Sequence, residues 1–329
     1  MDRAVWQKRF VITDAVRSFF RSRGFLEVET PALSMHRDVT THIRDFYTRY
    51  EDDAGEKHTL GLVTSPEHHM KRLLAEGWGD IFQISRFFRN GEVTRLHNPE
   101  FTGVEWYQTG ADYKGCMELT EKLVKACAGT AGAASVSSDG KMCDISAPFE
   151  RLTIRDAVIR FTGADIANLQ EPAALKSACE KAGQRCLPDD SWDDMFFRLF
   201  LSKVEPFLGI GTATFLCDYP APMAALSVLR NDGVFPVAER FELYVSGVEL
   251  CNGFTELGDP VEQRARFIGQ IEEKKRLYGG EYTLDEEFLA ALPYMPPCAG
   301  NALGLDRLVM LLLGKSSVSD VIPFPMTGV

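Results

Sequence analysis

The stretch Arg86-Phe-Phe-Arg-Asn-Gly-Glu-Val-Thr-Arg-Leu-His-Asn-Pro-Glu-Phe-Thr-Gly-Val-Glu-Trp-Tyr107 constrains this chain more than any other. Ile81 to Phe88 is a run of apolar and β-prone residues and predicts one strand. Asn90-Gly91 marks a turn, Asn98-Pro99 closes a loop, and Phe101 to Tyr107 predicts a second strand. Arg89, Arg95 and His97 bring donors for a polyanion to one end of this hairpin. Glu100 and Glu105 bring carboxylates, and Phe101 brings a ring able to stack on a base. Arginine suits phosphate because its planar fork donates in parallel. Taken alone, a charged hairpin is more often a solvated surface ribbon. Two later stretches change that balance.

The 329 residues, 45% hydrophobic and 25% charged, suit a globular chain with a sizeable core. A net charge of −11 argues against a nucleic-acid footprint, which usually shows as a basic face. No run approaches 18 apolar residues, so no membrane span is expected, and the N-terminus lacks a signal-peptide pattern. The eight cysteines include no Cys-x-x-Cys pair and predict reduced thiols in a cytoplasmic protein. The six histidines show no zinc spacing.

Residues 4–23 predict an amphipathic helix with apolar positions at Phe10, Val11, Ile12, Val16, Phe19 and Phe20, and Gly24 placed as its C-cap. Residues 25–30 then alternate as a strand that Pro31 ends. Residues 32–60 are polar with a turn near Asp52, and residues 60–64 form a short strand. Ser65-Pro66-Glu67 opens a helix, Ser65 serving as N-cap candidate. A helix follows over 113–127, and residues 128–140 predict a loop. A helical insertion spans about 153–208, and a strand runs from Thr214 to Tyr219.

Residues 241–251 predict a hairpin turning at Ser246-Gly247. In that register Val245 faces Val248 and Tyr244 faces Glu249, which makes Glu242 and Glu249 diagonal neighbours on one face. Two carboxylates so held repel unless a cation lies between them. Magnesium bound with phosphates is one solution, and a pair of solvated edge-strand glutamates is the other. A charged helix is expected over 260–278. Gly300 and Gly304 then lie on a short strand running into a very apolar helix, where Arg307 must be paired or face a ligand.

Taken in order, these blocks resemble the three motifs of class II aminoacyl-tRNA synthetases. The helix-strand ending at Pro31 is similar to motif 1, Arg89 to Glu105 to motif 2, and Gly300-x-Ala-x-Gly-x-Asp-Arg307 to motif 3. The stretch from Phe241 to Glu256 resembles the lysyl branch specifically. The resemblance implies an α+β fold, a mainly antiparallel β-sheet flanked by helices, in one catalytic domain over 1–329. It leaves no room for an anticodon-binding domain ahead of motif 1. Ser65-Pro-Glu-His-His-Met-Lys-Arg72, His97-Asn-Pro-Glu-Phe-Thr102 and Glu105-Trp-Tyr107 resemble the elongation factor P β-lysine ligase family.

That resemblance implies an AMP-forming ligase using ATP and Mg2+. (R)-β-lysine would be activated as an acyl-adenylate and passed to a lysine ε-amine of elongation factor P, with no tRNA partner. By the same matching, Arg89 would hold the α-phosphate, and His97 and Arg307 the β- and γ-phosphates. Phe101 and Arg307 would sandwich the adenine. Asn90, Gly91, Asn98, the backbone at Leu250 and Gly304 are further nucleotide contacts, and Glu242 and Glu249 would hold magnesium. Glu256 and Tyr107 are matched to the distal ammonium. Ser65, Pro66, Glu67, Glu105 and Asn252 are matched to the other amine and the carboxylate end. Ala302, where lysyl-tRNA synthetases carry glycine, would reshape the pocket floor toward the β isomer. The family's Arg-Asn-Glu reads Arg89-Asn90-Gly91-Glu92 here, so Glu92 is expected to take the adenine-facing role through a bent loop. Motif 1 implies a homodimer. Two other readings stay open: a paralog activating α-lysine for another acceptor, and a non-catalytic lysine-binding paralog.

Overall fold

The computed structural model describes residues 2–91 and 93–326. Glu92 lies outside them. Helix α1 (Arg3–Arg21) starts where the Asp2 side chain accepts from the Ala4 N–H. It buries Val5, Arg9, Ile12, Val16, Phe19 and Phe20, a stripe at three- and four-residue spacing. Phe10 and Val11, expected in that stripe, are instead 58% and 53% exposed, because they fall on the opposite side of the helical wheel. Ser22 is the C-cap, and Gly24 turns the chain just beyond it at φ +82°.

The central sheet runs in the order Leu26–Glu27, Ile81–Phe88, Glu100–Thr109, Cys298–Gly304, Val248–Thr255, Pro236–Val245, Thr214–Pro220, Glu150–Thr153, with Leu229–Asn231 beside Pro236–Val245. The two outermost pairs are parallel and the pairs between them antiparallel. The strand expected over 25–30 is only two residues long. Val28 gives one further bond to the Phe82 carbonyl, and Pro31, lacking an N–H, cannot extend the ladder.

Side chains alternate across this sheet, and the alternation builds the protein. On one face Phe82, Val104, Trp106, Leu303, Cys251, Phe241 and Leu243 pack into a core with α1, α3 (Tyr113–Ala131) and α9 (Leu305–Leu312). On the other face, cross-strand partners form a polar row: Gln83 opposite Glu105, Glu105 opposite Ala302, Ala302 opposite Asn252, Asn252 opposite Glu242. One step along lie Tyr107, Gly300, Phe254 and Arg240.

A buried ion pair ties the core side to the strands. Arg9 on α1 meets Asp306 on α9 at 2.5 Å, both side chains nearly inaccessible. Arg9 also donates to Thr102 Oγ1, and Asp306 accepts from the Thr102 N–H at 2.8 Å.

The remaining helices are α2 (Glu67–Ala75), α4 (Ile154–Thr162), α5 (Pro172–Lys181), α6 (Trp192–Lys203), α7 (Pro260–Tyr278) and α8 (Glu286–Ala291). Helices α4 to α6 fall within residues 153–208, expected to be helical, and share an apolar cluster with Leu216, Tyr219, Val237 and Tyr244 of the central sheet. Two hairpins were not expected. Ser135–Ser138 and Lys141–Asp144 turn at Asp139-Gly140, both at positive φ, inside the stretch read as a loop. Tyr47–Glu51, in the stretch read as polar, pairs across the turn expected near Asp52 with Lys57–Leu62, which overlaps the strand expected over 60–64. Every residue of Tyr47–Glu51 is exposed, so no alternating pattern marks it. All eight cysteines are free, and no helix among the described residues is long and apolar enough to cross a membrane.

Candidate active site

A cleft of about 670 Å³ opens over the polar face of the sheet. Most of the residues singled out above line it, from Ser65 and Glu67 through Arg89, Phe101 and Glu105 to Glu249, Ala302 and Arg307. Pro66 does not; it sits at the N-cap position of α2. Arg95 points elsewhere as well, against expectation. It is pinned by Asp139 at 2.5 Å, by Ser138 and by the Ser316 carbonyl, because the loop that carries it packs on the 138–141 turn.

At the anion end, the Arg89 guanidinium opens to the cleft and lies 5.3 Å from the Phe101 ring centroid. Arg89 is thus the cation over the Phe101 ring. Arg307 is held from three sides. Nε donates to the Leu96 carbonyl, one NH to the Glu249 carbonyl at 2.8 Å, and the other to His97 Nε2 at 2.7 Å. Arginine can only donate, so His97 accepts at Nε2 and carries its proton on Nδ1, which faces Thr94 Oγ1 at 2.8 Å. Asn98 donates to the Glu100 carbonyl and accepts from the Met326 N–H. A Cβ on Gly304 would make only ordinary contacts with Arg307 and Leu250, so nothing in the protein itself requires glycine there.

The acidic hairpin keeps its predicted turn and the pairs Val245–Val248 and Tyr244–Glu249. A β-bulge then shifts the register, so Glu242 faces Asn252 and Leu250 faces no residue of either neighbouring strand. The bulge retains Glu242, Glu249 and Asn252 on one face. Glu242 is buried, its oxygens accepting from Arg240 at 2.6 Å and from the Tyr244 hydroxyl at 2.7 Å. Glu249 is looser, 3.6 Å from Arg307, and burial and the Glu242 carboxylate push its pKa up. Glu205, in the insertion and not anticipated, is pushed up to about 7 by burial and by Glu249 and Glu242.

The amine end is a nest of carboxylates. Glu105 accepts from Ser65 Oγ at 2.8 Å and from the Tyr107 hydroxyl at 2.6 Å, and burial with Glu67 pushes it up to about 7. Lys71, which sequence reasoning passed over, lies between Glu67 at 2.6 Å and Glu256 at 2.5 Å, its side chain buried. The four-residue Glu67–Lys71 spacing was the available signal. Arg240 was also missed; it donates to Asn252 Oδ1 and stacks over Tyr219. A Cβ on Gly300 would overlap Glu256 Oε1 and the Tyr107 ring. Gly300→Ala is therefore expected to raise the KM for the amino acid at least tenfold. It should also cost about 1–3 kcal/mol of stability, as isotherms and melting curves would register.

The cleft thus lies over a sheet with one polar face, between an arginine-bearing hairpin and a glycine-rich strand running into an arginine-bearing helix. A family profile, tRNA synthetases class II (D, K and N), matches residues 2–328, and the chain belongs to that family. Its relatives divide in two. The elongation factor P–(R)-β-lysine ligase of Proteus mirabilis is 39% identical over 97% of this chain and 94% of its own length. That of Pectobacterium atrosepticum is 41% identical over 96% and 93%. The lysine–tRNA ligase of Magnetococcus marinus is 37% identical over 98% of this chain, which spans only 64% of that enzyme. The protein is a ligase of the synthetase type, and ATP use goes with that family.

Proposed function

We propose that this chain activates (R)-β-lysine with ATP and transfers it to a lysine ε-amine of elongation factor P. The observation that carries the reading is the amine end itself. Glu67, Glu105 and Glu256 face a cleft whose other end holds Arg89 and Arg307, so a dication with one carboxylate finds acceptors at one end and donors at the other. The full-length match to ligases bearing that name supports it, and the net charge of −11 speaks against tRNA as the acceptor.

In the first step a carboxylate oxygen of the amino acid attacks the α-phosphorus and pyrophosphate leaves. Arg89 and Arg307 neutralise charge on the phosphoryl oxygens as it develops. In the second, the acceptor amine attacks the acyl carbon and AMP leaves. Positioning does most of the work, since the phosphoanhydride supplies the driving force. Glu249, loosely held and repelled by Glu242, suits a divalent cation. Two carboxylates are a typical protein share for Mg2+, the remainder coming from phosphate and water. Bound there, Mg2+ would screen the pyrophosphate charge.

Ala302 lies between Glu105 and Asn252 in the ladder, so its methyl group occupies the floor between two polar substrate contacts. Ala302→Gly is expected to move adenylation toward α-lysine by tenfold or more, read by pyrophosphate exchange with each isomer. Equal rates for both isomers in the unaltered protein would remove the basis for this. Pairing through α1 is part of the proposal, because Phe10 and Val11 stand exposed on it; sedimentation would report a dimer. Incubation with ATP, either isomer and elongation factor P, followed by intact-protein mass, tests the whole reading. A gain of one lysyl unit with the β isomer supports it. A gain only with α-lysine, or no exchange at all, favours the α-lysine paralog or the lysine-binding protein.

A further inference from the structure

The amine end holds one more charged group than its ligand chemistry calls for. Three carboxylates, Glu67, Glu105 and Glu256, face it, and a diamine brings only two ammonium groups. Lys71 supplies the missing charge from within. Its Nζ touches Glu67 Oε1 at 2.6 Å and Glu256 Oε2 at 2.5 Å, and only 1% of its side chain is accessible. The Phe254 and Phe288 rings lie 5.3 and 6.0 Å from the ammonium.

We propose that Lys71 is the resident counter-ion of this pocket. It holds Glu67 and Glu256 aimed before the ligand arrives, and its fixed positive charge sets what the pocket takes up at two ammonium groups. This rests on the diamine reading given above and adds a positioning residue to it.

An unpaired carboxylate in a dry site holds its proton instead of its charge. Glu256 is nearly inaccessible; burial and Glu67 push its carboxyl up to about 8 even with Lys71 pulling it down. Lys71 is held protonated by Glu256 and Glu67 against the cost of its own burial. Among the described residues the other titratable groups around them are Glu105, Tyr107, Cys298 and, facing Glu256, Cys116. Glu105 is bonded to two hydroxyls, and Tyr107 and Cys298 are both shifted upward by burial. Without Lys71, three carboxylates would face two ammonium groups, and one carboxylate would retain a proton. That proton takes up an acceptor oxygen the ligand's ammonium would otherwise use. Ionised acceptors are lost as pH falls through a raised pKa, so binding to such a pocket weakens toward acid and recovers toward alkali.

Calorimetric binding of β-lysine and of α-lysine to the full chain tests this, with pyrophosphate exchange run alongside. Lys71→Met is expected to weaken binding at least tenfold at pH 7, with the deficit shrinking as pH rises to 9 and the KM for ATP within twofold of normal. The double variant Lys71→Met, Glu67→Gln brings the pocket back to two carboxylates. It should bind more tightly than Lys71→Met alone at pH 7, although Glu67→Gln by itself weakens binding. It also returns the site to charge balance, so it reports even if the single variant does not fold. A double variant weaker than the single, or a Lys71→Met deficit that is the same at every pH, would mean Lys71 is only a structural tie and would overturn the proposal. Normal diamine binding with no exchange would leave the counter-ion intact and sink the ligase reading instead. Absence of any diamine binding to the unaltered chain would sink both.

Discussion

Arg307→Ala is expected to cut ATP–pyrophosphate exchange by about 10²–10³-fold, the loss seen when one preorganised donor to a developing charge is removed. The reason is the way this arginine is held. Its guanidinium reaches the Leu96 carbonyl, the Glu249 carbonyl and His97 Nε2, so it joins the motif 2 loop, the acidic hairpin and α9 at one point. A fork fixed by three acceptors loses little entropy when phosphate arrives. The conservative change Arg307→Lys should not restore the rate, since one ammonium cannot span those positions. Initial rates of exchange, with a melting curve to show that the variant is folded, check it. A loss below threefold would place the phosphate chemistry elsewhere.

The second large effect concerns stability. Arg9→Met should destabilise the fold by about 3–5 kcal/mol, the usual result of removing one partner of a buried ion pair. Asp306 would be left buried with the Thr102 N–H its only donor among the described residues. The damage should spread to the site, because Asp306 precedes Arg307 and Thr102 follows Phe101. Denaturant unfolding gives the first quantity, and a raised KM for ATP in the folded fraction gives the second. Unchanged unfolding would show that the pair is neutral in net energy.

Much of the fold was legible from local rules. The hairpin at Ser246-Gly247 formed as expected, both turn residues at positive φ. Helix α7 begins and ends at Pro260 and Tyr278, where proline and the following glycines set it. The misreadings have physical causes. Tyr47–Glu51 is exposed throughout and so carries no period to read. Asp139-Gly140 was a hairpin signal hidden among small residues. Phe10 and Val11 count among the apolar positions of the helix, although their angular position leaves them exposed.

The candidate site divides in the same way. The residue types and their spacing along Arg86 to Tyr107, Glu242 to Glu256 and Gly300 to Arg307 determined which strands would carry chemistry, because side-chain alternation is a property of the strand alone. Which groups meet was decided only by how the elements stack. Lys71 on α2 meets Glu256, just past the end of Val248–Thr255, from 185 positions away in the chain. Arg9 meets Asp306 because α1 crosses α9. Arg95 leaves the site because its loop lies on the 138–141 turn, and Leu250 drops out of the ladder at a bulge. The hairpin from Arg86 is thus a strand-loop-strand by sequence and a wall of a charged cleft only by packing. A charge costs little in solvent and much when buried, and burial depends on residues remote in the chain.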